Sequence, residues 1–137
     1  MKTAVDTSVL LDVLGADTVH GSRSREALRT AYRSGALIAS DVVWAEVRAH
    51  FPTDDDFRDT MGVLHVQFAP VSAEAAALAG RLWRAQRARS RGTRSRVLAD
   101  FLVGAHAQVH ADALLTRDRG FYRDYFTDLR IQDPSRG

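Results

Sequence analysis

The chain has 137 residues, a length that suits one domain around one core. Its composition, 45% apolar and 26% charged, is that of an ordinary globular protein rather than a disordered or fibrous one. It contains no cysteine, which excludes disulfides and thiolate-bound zinc. No stretch is long and apolar enough to span a bilayer, and the N-terminus shows no basic segment followed by an apolar signal core. A soluble cytoplasmic protein is expected. The formal charge of +2 conceals a bias: Lys2 is the only lysine, and the other eighteen basic residues are arginines. Arginine grips phosphates with a planar, permanently charged fork; a GC-rich genome would produce the same bias.

Lys2 to Val5 reads as a first strand, and Asp6 follows it directly. In an open parallel sheet, residues just past a strand's carboxyl end face the crevice where ligands bind. A carboxylate there, followed by Thr7 and Ser8, suits a metal ion better than packing. Thr7 or Ser8 can cap the next helix, in which Val9, Leu10, Val13 and Leu14 recur at helical spacing until Gly15. Asp12 reads as part of its solvated face, with a supporting contact to the site as the alternative. Gly21 to Ser34 is an amphipathic helix stopped by Gly35, and Ala36 to Ala39 is a second strand.

Ser40 caps a third helix over Asp41 to about His50. Val42, Val43, Glu46 and Val47 share one face of it, so Glu46 is expected inside an apolar stripe. A carboxylate there must be neutralised, paired with a base or bound to a cation. A salt bridge, with Arg48 for example, is the plainer account. Asp54, Asp55 and Asp56 look like a metal cluster but suit a helix start, with Thr53 as cap. Val66 to Val71 is a third strand.

Ser72 opens a long helix that runs into Arg84, Arg87, Arg89, Arg91, Arg94 and Arg96. This stretch is read either as a basic rim for an RNA backbone or as a solvated, mobile loop over Ser90 to Ser95. Leu98 to Ala111 is an apolar helix with a core stripe of Leu98, Leu102, Ala105 and Val109. On its other side Asp100, Gly104 and Ala107 leave open space beside a carboxylate; a first-turn acid that favours the helix dipole is the plainer account. His106 and His110 lack the intervening acid of zinc proteases and are not taken as ligands. Asp112 to Thr116 is a fourth strand, and Asp118 repeats the placement of Asp6. Phe121, Tyr122, Tyr125 and Phe126 form an aromatic turn over the sheet edge. Leu129 to Ile131 is a last strand, and residues 133–137 form a frayed tail of the single domain. Strands separated by helices define an α/β fold with a mainly parallel sheet flanked by helices.

Val5-Asp6-Thr7-Ser8-Val9-Leu10-Leu11, Ala45-Glu46-Val47, Ala99-Asp100-Phe101-Leu102-Val103-Gly104-Ala105 and Leu114-Leu115-Thr116-Arg117-Asp118-Arg119-Gly120-Phe121 stand in that order. Together they resemble the successive motifs of the PIN-domain ribonucleases, most closely the VapC toxins of type II toxin–antitoxin pairs. The resemblance implies a three-layer PIN-like fold and endonucleolytic cleavage of RNA at an acidic site holding Mg²⁺ or Mn²⁺. It also implies a homodimer and a cognate antitoxin that blocks the site. Asp6, Glu46, Asp100 and Asp118 correspond to the family's acidic quartet, with Thr7, Ser8 and Thr116 as supporting hydroxyls. Asp6 and Asp100 are the expected principal metal ligands; Glu46 and Asp118 complete the shell, position water or hold a second ion. Arg87, Arg89, Arg91 and Arg94 are the candidate RNA contacts.

An aspartyl-phosphate phosphatase would carry a second aspartate where Ser8 stands. A receiver domain would need a lysine late in the sheet. The competing reading that remains is a PIN fold kept as a non-catalytic RNA- or protein-binding module.

Overall fold

The structure, a computed structural model, describes residues 1–89 and 97–136. Small and branched apolar runs form its strands: β1 (Lys2–Val5), β2 (Ala36–Ala39), β3 (Val66–Phe68), β4 (Ala113–Leu115) and β5 (Ile131–Gln132). All pairs are parallel, in the order β3-β2-β1-β4-β5. Every residue of β4, and all but the first of β1 and β2, is buried. Because neighbouring residues in a strand point to opposite faces, both faces of the sheet centre are covered. The edge strands β3 and β5 are shorter or less buried.

The helices between them are α1 (Thr7–Leu14), α2 (Gly21–Ser34), α3 (Asp41–Arg48), α4 (Asp54–Val63), α5 (Ala73–Arg89), α6 (Leu98–His110) and α7 (Arg119–Tyr125). α2 lies against β1 and β2, α6 lies against β1 and β4, and α5 stacks on α6. The chain therefore folds as the α/β arrangement expected, a parallel sheet flanked by helices.

Local chemistry sets most of the boundaries. Thr53 caps α4, its hydroxyl accepting from Asp56 N at 3.1 Å, and all three aspartates fall in the first turn. Ser40 caps α3 in the same manner at 3.3 Å. A Cβ at Gly35 would fall on the backbone of Met1, so a residue without one lets the chain enter β2 alongside the start of β1. β3 is shorter than expected: Ala69 N still donates to Ala39 O at 3.0 Å, and then Pro70 removes the next donor.

Several expectations are corrected. Asp6, not Thr7 or Ser8, is the N-cap of α1. On α6, Leu98 is exposed and Leu102 and Val109 are half-buried, whereas Phe101, Val103, Gly104, Ala105, His106 and Ala107 are the buried set. The helix is wedged between the sheet and α5, so its buried arc is wider than one stripe. The space beside Gly104 is not open: the Phe126 ring fills it. The C-terminal aromatics pack onto α6 as well as the sheet edge, with Phe101 edge-on to Phe121 at 5.1 Å and to Tyr125 at 5.3 Å. Residues 133–136, expected to fray, carry a 3-10 turn with Pro134 buried, and Arg23 Nη1 donates to Ser135 O at 2.7 Å.

The fit at Gly104 predicts a cost for a single methyl group. Gly104→Ala gains helix propensity of about 1 kcal/mol but must displace the buried Phe126 ring, an overpacking worth about 1–3 kcal/mol. Urea denaturation should show a net loss of stability. A gain would mean that the aromatic layer yields freely.

Candidate active site

The strand order reverses at β1. From there the chain moves outward to β2 and β3, then returns to add β4 on the other side. The crevice at the carboxyl ends of β1 and β4 is the topological switch point of the sheet, where open α/β folds bind ligands. Asp6 closes β1 there, and Thr116, Arg117 and Asp118 leave β4 beside it. Asp6 N donates to Leu115 O at 3.0 Å and keeps the two strand ends in register.

The Asp6 carboxylate is held at both oxygens. Oδ1 accepts from Thr7 N at 2.8 Å, and Oδ2 accepts from the Thr116 hydroxyl at 2.7 Å. The same Thr116 oxygen accepts from Asp118 N at 3.0 Å. One buried hydroxyl thus uses its single hydrogen on Asp6 and a lone pair on the next loop. Burial raises the Asp6 pKa above the usual carboxylate value, and the carboxylates of Asp100 and Glu46 push the same way. The Thr116 and Thr7 hydrogen bonds oppose that shift by stabilising the anion. Three acids from separate elements, the end of β1, α3 and the first turn of α6, therefore act on one point.

Glu46 reaches this point from solvent, not from a core stripe. It is exposed, and Thr7 Oγ1 donates to its Oε1 at 2.8 Å. It occupies the shoulder of the Val43–Val47 face that turns toward α1. Its expected alternative partner is otherwise engaged: Arg48 Nε bonds Asp54 Oδ1 at 2.6 Å. Asp118 is the N-cap residue of α7 and joins the site through its backbone bond to Thr116. The Ser8 hydroxyl is buried and has no hydrogen-bond partner among the described residues. Among the described residues, no three His, Asp or Glu side chains close to metal-ligand spacing. The acids are neighbours rather than a finished cage.

Arg117 is a functional-looking residue that the sequence pattern does not show, and Asp12 comes closer to the alternative given for it, a supporting contact to the site, than to a solvated face. Asp12, expected on a solvated face, is 5% exposed. Its oxygens accept from Arg117 Nε at 2.7 Å, Arg117 Nη2 at 3.0 Å and Ser24 Oγ at 2.9 Å. The one signal in the sequence is a basic residue set between Thr116 and Asp118. Of the candidate RNA contacts, Arg87 is exposed and lies over the Trp83 ring at 4.7 Å, and Arg89 is exposed and lies over Tyr125 at 5.5 Å. Arg91 and Arg94, with the rest of residues 90–96, lie outside the described residues.

A parallel sheet with this order and an acidic switch point defines a class, and the sequence places the chain within it. The PIN domain family model matches residues 3–126, so the chain belongs to the PIN domain family. No curated protein matches it in sequence. Among solved structures it is similar to VapBC2 of Rickettsia felis bound to a promoter DNA fragment. That match has 16% identity, covers 97% of this chain and 98% of the other, and has a TM-score of 0.73. A toxin–antitoxin complex from Klebsiella pneumoniae is similar at 20% identity, 96% and 97% coverage and TM-score 0.70. A sarcin–ricin loop cleaving VapC toxin from Mycobacterium tuberculosis is similar at 16% identity, 93% and 98% coverage and TM-score 0.59. At these identities the likeness is one of fold. Among the described residues no helix is long and apolar enough to cross a membrane.

Proposed function

We propose that the chain is a Mg²⁺- or Mn²⁺-dependent endoribonuclease acting as the toxin of a toxin–antitoxin pair. One observation carries this reading: at the switch point Asp6 is anchored by Thr7 N and the Thr116 hydroxyl, Thr7 Oγ1 holds Glu46 beside it, and Asp100 and Glu46 lie near enough to add to the effect of burial in raising the Asp6 pKa. Carboxylates that disfavour one another as anions are a fitting donor set for a hard divalent cation, which takes oxygen ligands. Asp6 and Asp100 would be its principal ligands, with Glu46 and Asp118 completing the shell. When bound, such an ion lowers the pKa of water and polarises the phosphoryl group.

The chain's own residues prepare the rest. Thr116 orients Asp6, Thr7 holds Glu46 beside it, and the Ser8 hydroxyl has a hydrogen bond to offer. Arg87, Arg89, Arg91 and Arg94 would bind the RNA backbone. A cognate antitoxin, a homodimer and a cytoplasmic setting belong to the same reading. It is supported by family membership and by a fold shared with proteins from toxin–antitoxin complexes.

The second reading, a non-catalytic PIN-fold RNA- or protein-binding module, is favoured by one observation: the acids are not closed to ligand spacing among the described residues. Incubation of structured RNA with Mg²⁺ or Mn²⁺, with and without EDTA, separates the two. Metal-dependent internal cuts that EDTA suppresses support the nuclease. Metal-independent binding without products supports the module.

The basic stretch has its own test. Replacing Arg87 and Arg89 with alanine should weaken RNA binding and flatten its dependence on salt, by about 0.7 in log–log slope for each phosphate no longer neutralised. An unchanged slope in filter binding would remove both arginines from the interface.

A further inference from the structure

Asp12 is 5% exposed, and the proposed chemistry does not use it. Its Arg117 partner lies 105 positions along the chain, and Ser24, which also donates to it, lies 12 away. Both Arg117 nitrogens that engage it do so at 3.0 Å or less, as a two-pronged fork. A buried ion pair is a poor device for stability alone, since an apolar pair of the same volume does as well or better. A planar fork on a carboxylate does fix direction, which a point charge does not.

What it fixes is the segment leaving β4. Arg117 stands between Thr116 and Asp118. Thr116 gives its hydroxyl hydrogen to Asp6 and accepts from Asp118 N. Asp6 caps α1 and Asp12 lies within the same helix. The loop after β4 is therefore clamped to one helix at two points, Asp6–Thr116 at its end and Asp12–Arg117 further along. We propose that Asp12 and Arg117 are a positioning pair for the acidic site, holding the Thr116 hydroxyl on Asp6 Oδ2 and the Asp118 amide on Thr116. This inference rests on reading Asp6 as a metal ligand. Neither residue of the pair touches the reacting atoms.

The test is Arg117→Lys, which keeps the charge and removes the fork. Partners that orient a ligand cost about 10–100-fold in metal affinity or activity when removed. The folded variant, checked by circular dichroism and melting, should lose that much Mn²⁺ affinity and kcat, with KM for RNA unchanged. Amide exchange at Asp118 and Thr7 should quicken. Thr116→Val should show the same losses, and the double variant no more than the larger single loss, because both cut one chain of hydrogen bonds. Wild-type Mn²⁺ affinity and exchange in Arg117→Lys would overturn the proposal, and so would fully additive losses. If the lysine variant fails to fold, Asp12→Asn answers the same question, keeping the shape and an acceptor for Ser24. Wild-type protein that neither binds Mn²⁺ nor cuts RNA would defeat the nuclease reading; exchange at Asp118 in the variants would still decide the positioning role.

Discussion

Asp6→Asn should reduce RNA cleavage at least about a thousandfold, about 4 kcal/mol of barrier, while leaving the protein more resistant to heat. Loss of activity follows from removing the charge at the switch point. The gain in stability follows from what that charge experiences: burial, then Asp100 and Glu46, raise the pKa of Asp6 in the folded protein. Above the unfolded carboxylate value of 3.8, the folded state holds this proton more tightly than the unfolded chain. Its contribution to stability is therefore complete below that value and is lost as pH rises through the folded pKa. Asparagine does not ionise, keeps an acceptor for Thr7 N and is an equally good N-cap. Melting curves of the metal-free proteins should diverge as pH rises above the unfolded carboxylate value of 3.8, with the variant ahead. A variant that melts below wild type at neutral pH would mean that Asp6 is held by favourable partners rather than strained by its neighbours.

Arg117→Ala should be the most destabilising single change near the site, about 3 kcal/mol, or roughly 10 °C of melting temperature for a chain of this size. The reason is an asymmetry of exposure. The Asp12 side chain is 5% exposed and that of Arg117 is 30% exposed. Removing the arginine leaves a buried carboxylate with Ser24 as its remaining donor in the group. Removing the charge of Asp12 by Asp12→Asn leaves an arginine that can turn toward water, at a cost nearer about 1 kcal/mol. Chemical denaturation of the two variants gives the ratio. Equal costs would place the pair in a more solvated setting than the geometry shows.

The contrast between these two sites shows what a sequence can convey. The helix Gly21–Ser34 and the strand Ala36–Ala39 fall at the residues expected, because Gly35 and the apolar spacing are local signals. Asp6 can be placed because a strand-end carboxylate is conspicuous in one short stretch. Glu46 and Asp100 are legible as acids at odds with apolar helices, although Glu46 stands in solvent at the shoulder of its helix. A helical wheel gives the angle of a residue, not the position of the neighbouring element. Asp12 misleads for the same reason: on an eight-residue helix its surroundings are set by Arg117, far along the chain. The space beside Gly104 looks open in the sequence because nothing near Asp100 announces that Phe126 fills it.

Manganese binding, measured by titration calorimetry on wild type, Asp6→Asn and Asp100→Asn, tests the central claim most directly. Convergence of these carboxylates on one ion predicts a saturable site in the wild type that each single substitution abolishes or weakens severely. Unaltered affinity in both variants would place any bound ion elsewhere and contradict the site described.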